Sequence, residues 1–73
     1  MKHRYEWAVI PEMDNEDGTH TGYASRTRNG HLVWLSQNPD QTWDVETNDG
    51  FTYRRMATCK TLVSAKRWVA RYM

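Results

Sequence analysis

The spacing of apolar residues changes once along this chain, between Met56 and Leu62, and that change constrains the fold more than any motif in it. Before it, apolar and polar residues alternate as they do on a strand with one buried face; after it, they recur at intervals of three and four, as on a helix. A chain written this way predicts a sheet followed by a helix.

The strand-like part divides at its turn residues. Tyr5, Trp7 and Val9 fall on one face of a strand over residues 5–10, which Pro11 ends because it has no N–H to give a ladder. A polar, acidic loop around Asp17-Gly18 follows. Residues 22–27 read as a second strand, with Tyr23 on one face and Ala24 and Arg26 on the other. Asn29-Gly30 is a strong hairpin signal and predicts a type I′ turn, which needs positive φ at both central positions. Residues 31–35 are apolar on both faces, as expected of a central strand. After a turn at Asn38-Pro39-Asp40-Gln41, residues 42–47 place Trp43 and Val45 inward and Asp44 and Glu46 outward. Asp49-Gly50 marks another hairpin, and residues 51–56 return with Phe51, Tyr53 and Arg55 together.

In the last segment Leu62, Ala65, Val69 and Tyr72 form one apolar stripe with Trp68 beside it, and Thr61 is placed to cap the helix. The expected fold class is therefore α+β: a small antiparallel sheet of four to five strands packed against one C-terminal helix. One domain over residues 1–73 is expected, with strands over about 4–56 and the helix over about 61–72.

Size then bears on function. A chain of 73 residues buries only about 60% of the surface it exposes when unfolded. Most of its four tryptophans and four tyrosines are needed for the core, and little chain is left to frame a substrate cleft. Cys59 is the single cysteine, so no intramolecular disulfide can form and a reducing cytoplasm is the expected setting. No apolar run follows the first residues as in a signal peptide, and none approaches the ~18 residues of a membrane span. A soluble protein that does not enter membranes is expected.

Charge is distributed unevenly. Residues 1–50 hold nine acids and four bases, net −5; residues 51–73 hold six bases and no acid, net +6. Arg54, Arg55, Lys60, Lys66, Arg67 and Arg71 are thus candidates for contact with something anionic, either an acidic protein surface or nucleic-acid phosphates. Residues 42–70, strands then Ala57-Thr-Cys-Lys-Thr-Leu-Val-Ser-Ala-Lys-Arg-Trp68, resemble the layout of the small arm-type DNA-binding domains of tyrosine recombinases. That resemblance implies a Thr-led helix packed on a sheet and DNA as partner. The basic strands of that family are replaced here by Asp44 and Glu46 at the outward positions.

Motifs for other chemistry are missing. His3, His20 and His31 are scattered, and Cys59 has no partner at ligand spacing, so no metal is expected. Aligning Gly18 with the invariant glycine of an EF-hand puts Met13 and Ala24 where carboxylates are required. No nucleophile elbow, phosphate loop or zinc-protease motif occurs, so no catalytic residue, cofactor or small-molecule substrate is expected.

The sequence therefore points to a non-catalytic module that binds a macromolecule, in the first place a protein, with self-association as a variant. A sheet face that one helix leaves bare is expected to carry Trp34 or Trp43 beside Arg54 or Arg55, and these are further candidate contacts, because Trp and Arg are enriched at binding hot spots. Phage or mobile-element accessory proteins that bind and block a host factor often take this form. The alternative is a nucleic-acid-binding domain using the basic helix and last strand.

Overall fold

The computed structural model describes residues 3–48 and 50–73. Five strands, β1 (Ala8–Val9), β2 (Gly22–Arg26), β3 (Leu32–Gln37), β4 (Trp43–Asn48) and β5 (Tyr53–Cys59), precede one helix, α1 (Leu62–Tyr72). The strands form a single antiparallel sheet in chain order, so β3 is central and β5 is the longer edge. A short 3-10 turn, Pro11–Met13, sits between β1 and β2. The α+β class expected from the change in period is what the chain forms. No described helix is long and apolar enough to cross a membrane.

Alternation decides what each face of the sheet carries. Val33 and Leu35 of β3 lie opposite Thr47 and Val45 of β4, and paired residues project to the same side. Trp43 and Val45 in turn lie opposite Cys59 and Ala57 of β5. The helix crosses β4 and β5 on this side and supplies Ala65 and Val69. Val33, Leu35, Val45, Ala65 and Val69 are fully buried, and Trp43 is 6% exposed. Burying a valine or leucine side chain contributes about 1.5–3 kcal/mol, so these few residues carry much of the fold. Thr61 caps the helix as expected: its hydroxyl accepts from the Ser64 backbone N–H at 3.0 Å.

Four expectations need correction. The first strand is only two residues long, because Tyr5 and Trp7 pack as stacked rings (6.0 Å) against the core and do not extend the ladder. The Asn29-Gly30 hairpin exists, but only Gly30 has positive φ, at 81°. Gly30 N–H donates to Thr27 C=O and Thr27 N–H to His31 C=O, which is a three-residue loop ending in a left-handed glycine and not a type I′ turn. The last strand starts later and runs on to Cys59, since Ala57 and Cys59 are needed opposite Val45 and Trp43; a bulge between Val45 and Glu46 leaves Met56 without a partner across the ladder. Finally, Tyr72 is 62% exposed, and the apolar stripe ends instead with Met73, four residues after Val69. In the second expected hairpin Asp49 lies outside the described residues; Gly50 has a φ of 98° and receives a contact from Asn48, whose side-chain oxygen accepts its N–H.

Candidate interaction surface

Among the described residues no helix or further strand lies over the face of the sheet turned away from α1; only the chain at Ile10 and Met13 reaches its β2 side. From β3 it carries Leu32, Trp34 and Ser36; the register adds Ala24 and Arg26 from β2, Asp44, Glu46 and Asn48 from β4, and Tyr53, Arg55 and Thr58 from β5. This open face has two chemically different halves.

One half is polar and satisfied within itself. The Asp44 Oδ1 accepts from Thr58 Oγ1 at 2.7 Å and from Asn38 Nδ2 at 3.0 Å, while Arg55 stands 3.6 Å from Oδ2. Burial alone would raise the pKa of this carboxyl; the donors Thr58 and Asn38 and the Arg55 guanidinium outweigh it, and the pKa falls below the usual carboxylate value. Ser36 Oγ donates to Glu46 Oε1 at 2.6 Å. Each acid on this half already has donors within the molecule, so the network ties β3, β4 and β5 together.

Apolar surface makes up the other half. Trp34 is half-buried, and its ring lies 5.2 Å from that of Tyr53, which is 56% exposed. Leu32, 41% exposed, is next on the same strand face. Ile10 and Met13 approach from the chain before β2, and together with Ala24, Leu32 and Trp34 they line a shallow depression. Gly22 permits this approach: Met13 Cβ would lie 3.0 Å from a Cβ at that position.

The eight residues singled out in the sequence do not form one site. Trp34 and Arg55 share the open face, whereas Trp43 is in the core under the helix and cannot be a contact. Arg54 pairs with Thr47, on the side of the sheet that also bears Val45. Lys60 is exposed in the connection to α1. On the helix Lys66 is half-buried with its Nζ 5.1 Å from the Tyr23 ring centre, Arg71 lies 5.5 Å from that of Tyr72, and Arg67 is exposed. Leu32, Tyr53, Ala24, Ile10 and Met13 were not singled out. The signal for Leu32 was present in its spacing of two from Trp34, but β3 is apolar on both faces and the pattern cannot say which face the helix takes.

Cys59 is half-buried, and burial pushes its thiol pKa up. A raised pKa disfavours the thiolate a nucleophile requires. Among the described residues no three His, Cys, Asp or Glu side chains are grouped to hold a metal ion.

Comparison with protein-family models, curated proteins and solved structures gives no match to this chain. Its class is accordingly defined by its own architecture: a five-stranded antiparallel meander with one face closed by a C-terminal helix and the other, among the described residues, left largely open.

Proposed function

We propose that this chain is a non-catalytic interaction module that binds a protein partner through the open face of its sheet. The observation that carries the reading is the Trp34–Tyr53 ring pair, set beside Leu32 on a face that no described helix or further strand covers. Aromatic residues on a rigid strand lose little entropy on binding, and such positions dominate the energy of protein interfaces. Arg55, anchored near Asp44 and still largely exposed, supplies a polar margin. A module of this kind suits a reducing cytoplasm, where a lone sheltered thiol persists, and its size fits an accessory protein that blocks a host factor.

The test is affinity capture with the wild type, a Trp34→Ser/Tyr53→Ser variant and an Arg67→Glu/Arg71→Glu variant. Loss of the captured protein with the first variant alone is expected. Retention by that variant would refute the open-face reading. Light scattering on the same samples separates a foreign partner from a second copy of the chain.

A second reading, nucleic-acid binding by the basic helix and last strand, is favoured by one observation. Of the six bases in residues 51–73, only Arg55 forms an ion pair among the described residues. About four phosphate contacts would give a log–log salt slope near −4. Duplex binding with that slope, abolished by Arg67→Glu/Arg71→Glu, would establish this reading in place of the first.

A further inference from the structure

The apolar depression on the open face has a floor and walls of different kinds. Ala24, which pairs with Trp34 of β3 in the register, is the smallest of its lining residues, and the larger side chains of Ile10, Met13, Leu32 and Trp34 stand around it. Its volume is about 310 Å³, at the lower end of the ~300–1,000 Å³ typical of small-molecule pockets, and it is shallow. That shape suits one protruding side chain better than an enclosed ligand.

A second groove of about 400 Å³ adjoins it, sharing Ala24 and Leu32 and bordered by Arg4, Glu6 and Arg26. It opens where the chain before Ala8 leaves the ladder, and His3 Nε2 closes its far end against the Arg26 carbonyl at 2.7 Å. Two arginines and one glutamate are thus among its lining residues. Neither arginine has an ion pair among the described residues. Arg26 is held in place by one hydrogen bond, from its NH1 to the Gly30 carbonyl at 2.9 Å, which leaves four of its five N–H groups for a ligand.

We propose that the depression seats one large apolar side chain of a protein partner, and that a carboxylate neighbouring that side chain pairs with Arg26 and Arg4. This rests on the open face being the contact surface and adds what the partner must present there. The apolar floor supplies the affinity. The Arg26 guanidinium beside it selects an acidic neighbour over a basic one, because a like charge set there is repelled.

The experiment is an NMR titration of the labelled chain with three blocked tripeptides, Glu-Trp-Glu, Lys-Trp-Lys and Glu-Ala-Glu. Glu-Trp-Glu should give saturable shifts at Ala24, Leu32 and the Trp34 indole. It should bind about tenfold more tightly than Glu-Ala-Glu, the loss expected on removing a buried anchor, and several-fold more tightly than Lys-Trp-Lys. Filling the depression with Ala24→Met should weaken Glu-Trp-Glu at least about fivefold, and Arg26→Gln should erase the difference between acidic and basic peptides. Leu32→Ser alters the wall of the depression without touching the core and serves where Ala24→Met disturbs the fold. Shifts that map elsewhere, equal binding of the three peptides, or full binding by Ala24→Met and Leu32→Ser would overturn the proposal. If that happens while Trp34→Ser/Tyr53→Ser still loses the captured protein, the open face stands and only the depression is wrong. If capture also survives, both readings fall.

Discussion

Gln41 occupies in its turn the left-handed backbone position that Gly18 occupies in another, with φ of 72° and 88°. The two turns share a five-residue pattern, Asn15-Glu-Asp-Gly-Thr19 and Asn38-Pro-Asp-Gln-Thr42, and the same internal hydrogen bonds. In each, the aspartate Oδ1 accepts from the threonine N–H at 3.0 Å and from its hydroxyl at 2.6 Å. The asparagine Nδ2 donates to the same hydroxyl, at 2.9 Å in the first turn and 3.0 Å in the second. The backbone closes identically, from position four to one and from one to five. Position two differs as well, Glu16 against Pro39, but neither side chain enters these bonds; the departure with a backbone consequence is Gln41, which holds the left-handed position with a Cβ.

That departure makes Gln41→Gly a stabilising substitution. A left-handed conformation costs a residue with a Cβ about 1–2 kcal/mol, and the extra freedom glycine gains in the unfolded chain offsets about 0.5–1 kcal/mol of the relief. A net gain of up to ~1 kcal/mol is expected, seen as a higher urea midpoint with an unchanged slope. Gly18→Gln should move the midpoint the other way. A lower midpoint for Gln41→Gly would contradict this account of the turn.

Asp44 links β4 to β5 and predicts an acid limb in the stability curve. Its folded pKa lies below the unfolded value of about 3.9, so the stabilisation is complete above that pH and is lost as pH falls through the folded pKa. Asp17 and Asp40 shift in the same direction, through the hydroxyl and N–H of Thr19 and Thr42. Asp44→Asn keeps an acceptor for Thr58 and Asn38 but loses the charge facing Arg55, and should cost about 1–2 kcal/mol at pH 7. The gap between this variant and the wild type should narrow as pH falls below about 4. A gap that stays constant as the carboxyl is protonated would show that the ionised carboxylate is not what stabilises the site.

Two tryptophans nine residues apart should respond oppositely to truncation. Trp43→Ala empties a core position and should cost about 3–5 kcal/mol, against the 5–15 kcal/mol by which domains are ordinarily stable. Loss of cooperative unfolding by circular dichroism is the expected readout. Trp34→Ala removes a half-buried ring from the open face and should leave a folded chain with a changed binding surface. Equal destabilisation by the two substitutions would mean that the open face is part of the core.

Cys59 should react slowly. Because burial raises its pKa, modification by an aromatic disulfide reagent at pH 7 should be slower in the folded protein than in urea, and should accelerate with pH beyond the range of an ordinary thiol. A folded-state rate equal to that of the unfolded chain would place the thiol in open solvent.

How much of this was legible depended on whether one segment's pattern was enough. The helix was readable because Leu62, Ala65 and Val69 set its period and Thr61 its start, all within twelve residues. Trp43 could be turned inward because Val45 follows at the strand interval, with Asp44 between them and Glu46 after. Trp34 could not be assigned, since Leu32 and Trp34 compete with Val33 and Leu35 in one apolar run and only the position of α1 decides between them. The meeting of Ala24, Ile10 and Arg4 was beyond the sequence altogether, because it depends on where the chain leaves the β1 ladder. The short β1 was missed for the same reason: Tyr5 and Trp7 have strand spacing whether their backbone pairs or only their rings pack.

Each strand of this sheet is hydrogen-bonded only to strands next to it in the chain, so no long loop must close before pairing begins. Hairpins can therefore assemble one after another as the polypeptide leaves the ribosome. The helix that covers Val33, Leu35 and Val45 is encoded after all of them. For the interval before the segment from Leu62 onward emerges, the nascent chain carries a paired sheet with both faces bare, and it is then that chaperones or aggregation compete for its greasier side.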